Sequence, residues 1–231
     1  MTRAAPAGER RRSQAPGIEA APGPVVIVGG PLGPGDVVAV ARGAAVALAP
    51  EVDERLAAAR AVVDRHARSA KPVYGLTTGL GAAVDTRLGA TDMAGFQARA
   101  IAARAVGVGE PLPAPEVRAM LFVRLAGLAR GASGISPGFA AALRDMLNAG
   151  VHPVVLDTGS LGEADLAPLA QAFLPLVGEG EAEFRGERLP GPEALSLAGI
   201  AAPELRPKDA IALLNGNALS VGLAALALHE A

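Results

Sequence analysis

Apolar positions recur mostly at helical spacing, with a few short extended runs between them. Val25 to Gly29 is a β-branched run closed by Gly-Pro punctuation through Gly35, which predicts one strand of a small sheet. Asp36 is placed to cap a helix through about Ala45. Glu51 to Ala70 sets Val52, Leu56, Ala59, Val62 and Val63 on one face, a second helix that Lys71-Pro72 ends. Thr91 can cap a helix to about Ala105, and the Gly107-Val108-Gly109 stretch breaks it. Ala114 to Arg130 is an apolar helix, and Pro137 opens another that reaches Ala149. Val151 to Leu156 is extended. Gly178 to Pro190 alternates Glu and Arg with apolar residues, as a small hairpin or solvated loop would. A short helix over Glu193 to Ala198 precedes a last one that contains Leu213-Leu214-Asn215-Gly216-Asn217 and runs on to Leu228.

Gly159-Ser160-Leu161-Gly162-Glu163-Ala164 reads as a tight loop running into a buried helix that starts Asp165-Leu166-Ala167-Pro168. Proline fits a helix only in its first turn, so the helix begins no earlier than about Asp165, with Asp165 as its N-cap. A capping box from Ser160 to Glu163 would put Pro168 in the second turn, and that register is rejected. The loop then lies over a helix N-terminus, where free N–H groups favour negative charge. Such a place suits electrophilic chemistry, and it equally suits an ordinary capped loop.

Composition sharpens this picture. With 51% hydrophobic and only 3% aromatic residues, the core is built of aliphatic helices. A net charge of −2 suggests neither a nucleic-acid nor a membrane partner. The chain has no cysteine, hence no disulfide and no thiolate ligand, and its three histidines lack metal-ligand spacing. Residues 1–23, with Arg10-Arg11-Arg12, have no apolar run and read as a disordered tail rather than a leader. The expected compartment is the cytoplasm. Ala210 to Leu228 is apolar but interrupted by Asn215, Gly216, Asn217 and Ser220, so a buried helix pair fits better than a membrane span. Nothing follows to cover that helix, which predicts a missing C-terminal half or a second chain that supplies it.

Val73-Tyr74-Gly75-Leu76-Thr77-Thr78-Gly79-Leu80-Gly81 is a Gly-rich loop with the single tyrosine of the chain. Tyr74-Gly75-Leu76-Thr77-Thr78-Gly79-Leu80-Gly81, His152-Pro153-Val154-Val155, Gly159-Ser160-Leu161-Gly162 with Asp165-Leu166-Ala167-Pro168-Leu169-Ala170, and Leu213-Leu214-Asn215-Gly216 occur in one order. In that order they resemble the histidine and aromatic amino-acid ammonia-lyases. Lys208, Arg124 in Val123-Arg124-Leu125 and the Gly178-Glu179-Gly180-Glu181-Ala182 turn extend the likeness. It runs from about Val25 to the C-terminus and covers the N-terminal half of a family member.

The resemblance implies a mainly α, helical fold over residues 24–231, with a small β-containing N-terminal lobe that carries the Tyr74 loop. It also implies a tetramer whose active sites combine subunits, and a small amino-acid substrate. Family members eliminate ammonia from an α-amino acid through a methylidene-imidazolone ring made from an internal Ala-Ser-Gly. The Gly nitrogen attacks the Ala carbonyl, and the Ser then loses its hydroxyl as water. By resemblance, Tyr74 is the base or proton relay, Asn215 contacts ring and substrate, and Gly79 and Gly81 shape the pocket. Arg104 stands where histidine-specific members have a side-chain recognition pair, and Arg124 is a candidate for the substrate carboxylate.

This chain departs from the pattern at the ring. It has Gly162-Glu163-Ala164-Asp165 where the family has Gly-Ala-Ser-Gly-Asp, so one residue is missing. Ala164 has no hydroxyl to lose, and Asp165 is a poor cyclising nitrogen. The ring is therefore expected to be absent, and no other bound cofactor is implied. Thr77, Ala126 and Gln171 also stand where the family has Asn, Asn and His. Two functional readings stay open: a lyase acting on an amino acid, or an inactive homologue or remnant that binds a small acid or a partner subunit.

Overall fold

The computed structural model describes residues 23–69, 71–81, 84–89 and 93–230. Its order is β1 (Val25–Ile27), α1 (Pro34–Ala41), β2 (Val46–Leu48), α2 (Pro50–Ala67), α3 (Met93–Ala102), β3 (Val108–Pro111), α4 (Ala114–Ala129) and α5 (Pro137–Ala149). Then follow β4 (His152–Pro153), β5 (Leu156–Thr158), α6 (Leu166–Phe173), a 3-10 turn (Leu174–Val177), β6 (Glu181–Phe184), β7 (Glu187–Pro190), α7 (Gly191–Leu197), α8 (Asp209–Leu214) and α9 (Ala218–Glu230). The fold is mainly α. Helix α4 lies at its centre, packed on α1, α5 and α9. Ten of its residues are buried, among them Met120, Phe122, Leu125 and Leu128. Phe139 of α5, Phe173 of α6 and Phe184 of β6 join Phe122 in one continuous core, each worth about 2–3 kcal/mol of burial.

Several boundaries differ from the sequence expectation. Helix α1 stops at Ala41, because residues 46–48 form β2, which pairs with β1 in parallel. Asp36 does not occupy the N-cap; it sits within the first turn and accepts from the Gly33 N–H at 2.8 Å. On α2, Val62 is 44% exposed, while the core-facing stripe is Val52, Leu56, Arg60 and Val63. Among the described residues the strands form three small sheets, β1-β2, β3-β5 and β4-β6-β7. The hairpin over Gly178 to Pro190 is β6-β7, in antiparallel register. The expected tail falls outside the described residues except for residue 23, and so does Thr91.

Asp209–His229 is apolar and long enough to cross a membrane by composition. It is two helices, however, because the chain leaves helical geometry at Asn215, with φ −83° and ψ 99°. This break between α8 and α9 is what positions the candidate site.

Candidate functional site

The loop of residues 159–165 links β5 to α6 and rests on the α8–α9 break. Asp165 occupies the N-cap position of α6, as Pro168 requires, yet its carboxylate does not cap that helix. It turns instead to α9: Oδ2 accepts from the Ser220 N–H at 2.9 Å, and Oδ1 accepts from the Ser220 hydroxyl at 2.8 Å. Oδ1 also accepts from the Ser160 hydroxyl at 2.7 Å, and Ser160 Oγ in turn accepts from the Gly162 N–H at 3.2 Å. Asp165 therefore satisfies a free N–H in the first turn of α9. The position was readable from Pro168; the partner was not, because it lies 55 residues away.

Two more bonds close the loop. The Asp165 N–H donates to the Gly216 carbonyl at 3.0 Å, and Asn217 Nδ2 donates to the Gly162 carbonyl at 3.1 Å. Neither Ser220 nor Asn217 was singled out as a site residue, although both interrupt an otherwise apolar stretch. A side chain at Gly216 would collide with Arg124, whose Nη1 lies 2.7 Å from where a Cβ would stand.

Arg124 is buried, and its guanidinium donates to the Ala212 carbonyl in the last turn of α8. Burial pushes its pKa down to about 10, so it stays cationic at neutral pH. In this chain the guanidinium ties α4 to the last turn of α8. Its Nε is buried without a partner.

Tyr74 is 51% exposed, and its phenol oxygen accepts from the Gly81 N–H at 3.2 Å, which closes the Gly-rich loop on itself. Gly79 is buried and bonds to the Thr86 carbonyl at 3.0 Å; Gly81 has φ +59°. Thr77 Oγ1 accepts from the Val73 N–H at 2.8 Å, so this residue serves the loop's own turn. The loop packs on α8, where a Cβ on Gly75 would come within 3.1 Å of Ile211. Asn215, at the other end of α8, is exposed. Helix α8 is thus the bar that joins the Tyr74 loop to the 159–165 loop. Arg104 stands apart: it lies in the turn after α3, and its Nη1 donates to the Ala100 carbonyl of that helix at 2.8 Å. Gln171 ties β5 to the residue before β3, accepting from the Leu156 N–H at 3.0 Å and donating to the Gly107 carbonyl at 3.2 Å.

Of the residues facing the loop, Glu163 is exposed and Ala164 is half-buried. A ring made from Glu163-Ala164-Asp165 would need the Asp165 nitrogen to attack the Glu163 carbonyl. That nitrogen is engaged with Gly216, it carries a Cβ, and Ala164 has no hydroxyl to eliminate. The residues present do not fit the ring. Among the described residues no cluster of His, Asp or Glu could hold a metal.

A family model for aromatic amino acid lyases matches residues 32–231. The histidine ammonia-lyase of Symbiobacterium thermophilum is 47% identical over 198 residues, which is 85% of this chain and 39% of that protein. That of Streptomyces griseus is 45% identical over 84% of this chain and 38% of its own length. Among solved structures, the ergothioneine-degrading ergothionase of Treponema denticola aligns with a TM-score of 0.87 at 32% identity, over 89% of this chain and 42% of that one. Histidine ammonia-lyase of Trypanosoma cruzi aligns with a TM-score of 0.81 at 30% identity, over 89% and 40%. The chain spans about two fifths of the length of the curated relatives it matches.

Proposed function

The chain belongs to the aromatic amino acid lyase family, and from that premise we propose that it carries part of a pocket for a small α-amino acid but no ring-dependent elimination of ammonia. Its relatives' names make histidine the first amino acid to test. The observation that supports this reading is the 162–165 loop. The scaffold under it is complete, with Asp165, Ser160, Ser220 and Gly216 all bonded, while the atoms a methylidene-imidazolone is made from are missing. The wall of the pocket consists of the Tyr74 loop, Asn215 and the 159–165 loop. The rest comes from further copies of the chain or from a second chain.

Intact mass and the near-ultraviolet spectrum test the proposal. An unmodified mass and no ring absorbance are expected, with no unsaturated acid formed from histidine, phenylalanine or tyrosine. A mass lower by two waters would overturn it. A second arm replaces Glu163-Ala164 with Ala-Ser-Gly. If the scaffold is as sound as its bonds indicate, this variant gains the ring absorbance and loses two waters.

A further inference from the structure

A cavity of about 450 Å³ lies beneath the Tyr74 loop, and none of the roles above uses it. Its walls are mostly apolar: Ala59, Val62 and Val63 of α2 on one side, with the His66 imidazole at the end of that row, and Val73 and Leu76 of the loop on the other. The turn Gly131-Ala132-Ser133-Gly134 forms its floor, and Lys208 enters from the residue before α8. Lys208 holds a left-handed backbone, φ +79°, which an L side chain rarely adopts.

The Lys208 ammonium is short of partners. It has three N–H donors, and the protein acceptor it meets is the Ser133 carbonyl. It forms no ion pair among the described residues. Burial, with the Arg60 charge nearby, holds its pKa below the usual lysine range, and Asp209 pulls the other way. A half-buried cation with unspent donors, set in an aliphatic cavity, selects an anion with an apolar body. A phosphate would call for several converging donors; one ammonium, with a single imidazole elsewhere on the α2 wall, suits one carboxylate. The volume is at the small end of ligand sites.

We infer that this cavity binds a small aliphatic monocarboxylate, with the carboxylate on Lys208 and the chain against Val63, Val73 and Leu76. The site is separate from the 159–165 loop, so its test is independent of ring chemistry. Calorimetric titration of the full chain uses hexanoate, hexanamide and inorganic phosphate. Hexanoate is expected to bind about tenfold or more tighter than hexanamide, with no phosphate binding at about 10 mM. Lys208→Gln is expected to weaken hexanoate by about tenfold. Should that variant fail to fold, Val62→Trp decides: it places an indole at an exposed position on the rim and is expected to block hexanoate at an unchanged Tm. Absence of hexanoate binding at about 10 mM, or equal affinity for the amide or for phosphate, would overturn the proposal. So would full hexanoate affinity in folded Lys208→Gln or in Val62→Trp.

Discussion

Asp165 and Asp209 are both fully buried carboxylates; Asp209 sits at the start of α8, and Asp165 is bonded just past the end of α8, at the first turn of α9. Their partners differ in kind. Asp209 meets a cation: Oδ1 lies 3.2 Å from Arg60 Nη1, and Arg60 also pairs with Asp64. Its remaining bonds come from the Ser136 N–H at 2.9 Å, the Ser136 hydroxyl at 2.8 Å and the Arg206 N–H at 2.8 Å. Burial pushes the Asp209 pKa up, and these donors with Arg60 hold it back. Asp165 is answered only by hydroxyls and an N–H. The first is a charged joint that locks α2, α5 and α8 together. The second is a neutral-donor joint that seats one loop on one helix. A loop seated in this way can lose its reactive residues while its mooring stays whole, and this chain shows both conditions side by side.

The largest expected effect comes from breaking the charged joint. Asp209→Ala leaves Arg60 buried with a lost partner and should cost about 3–5 kcal/mol, read as a lower denaturation midpoint at unchanged slope. Asp165→Asn keeps the shape and one acceptor, so about 1–3 kcal/mol is expected. Equal losses in the two variants would abolish the distinction between the joints.

A third buried joint sharpens the comparison, because it has a cation and no carboxylate. Arg118 donates to the carbonyls of Val40 at 2.7 Å, Leu147 at 2.7 Å and Ala44 at 3.3 Å, with His152 Nε2 at 3.4 Å. Burial first, and the Arg118 charge second, lower the His152 pKa from 6.5 to about 4. The unfolded chain therefore takes up a proton that the folded chain refuses. Stability is complete above about pH 6.5 and falls as pH drops toward 4, by at most about 3 kcal/mol. In His152→Gln this slope should flatten; an unchanged slope in an acid-denaturation series would place the effect elsewhere. The smallest change is expected from Tyr74→Phe, which removes one exposed bond to Gly81 and should cost under about 1 kcal/mol by thermal melting.

Much of the site was legible in the residues. Pro168 fixed where α6 begins, the spacing of Gly162 to Asp165 showed that ring atoms are missing, and the ordered motifs pointed to the family. The β1-β2 pair was half seen, since Val46–Leu48 is too short to separate from a helix end without its partner strand. The Arg124 bond to the Ala212 carbonyl was not legible, because an arginine beside a pocket motif looks the same in sequence whether it faces a ligand or a helix carbonyl.

By itself, then, the sequence determined local matters: helix starts from Pro and Gly, buried faces from aliphatic spacing, and the chemical poverty of Glu163-Ala164 from the atoms those side chains lack. These depend on residues close along the chain. Tertiary structure alone decided which helix Asp165 caps, that α8 and α9 part at Asn215, and that Lys208 enters an aliphatic cavity. Those outcomes rest on partners dozens of residues away. A buried polar group must find its donor wherever packing brings one, and sequence spacing does not record where that is.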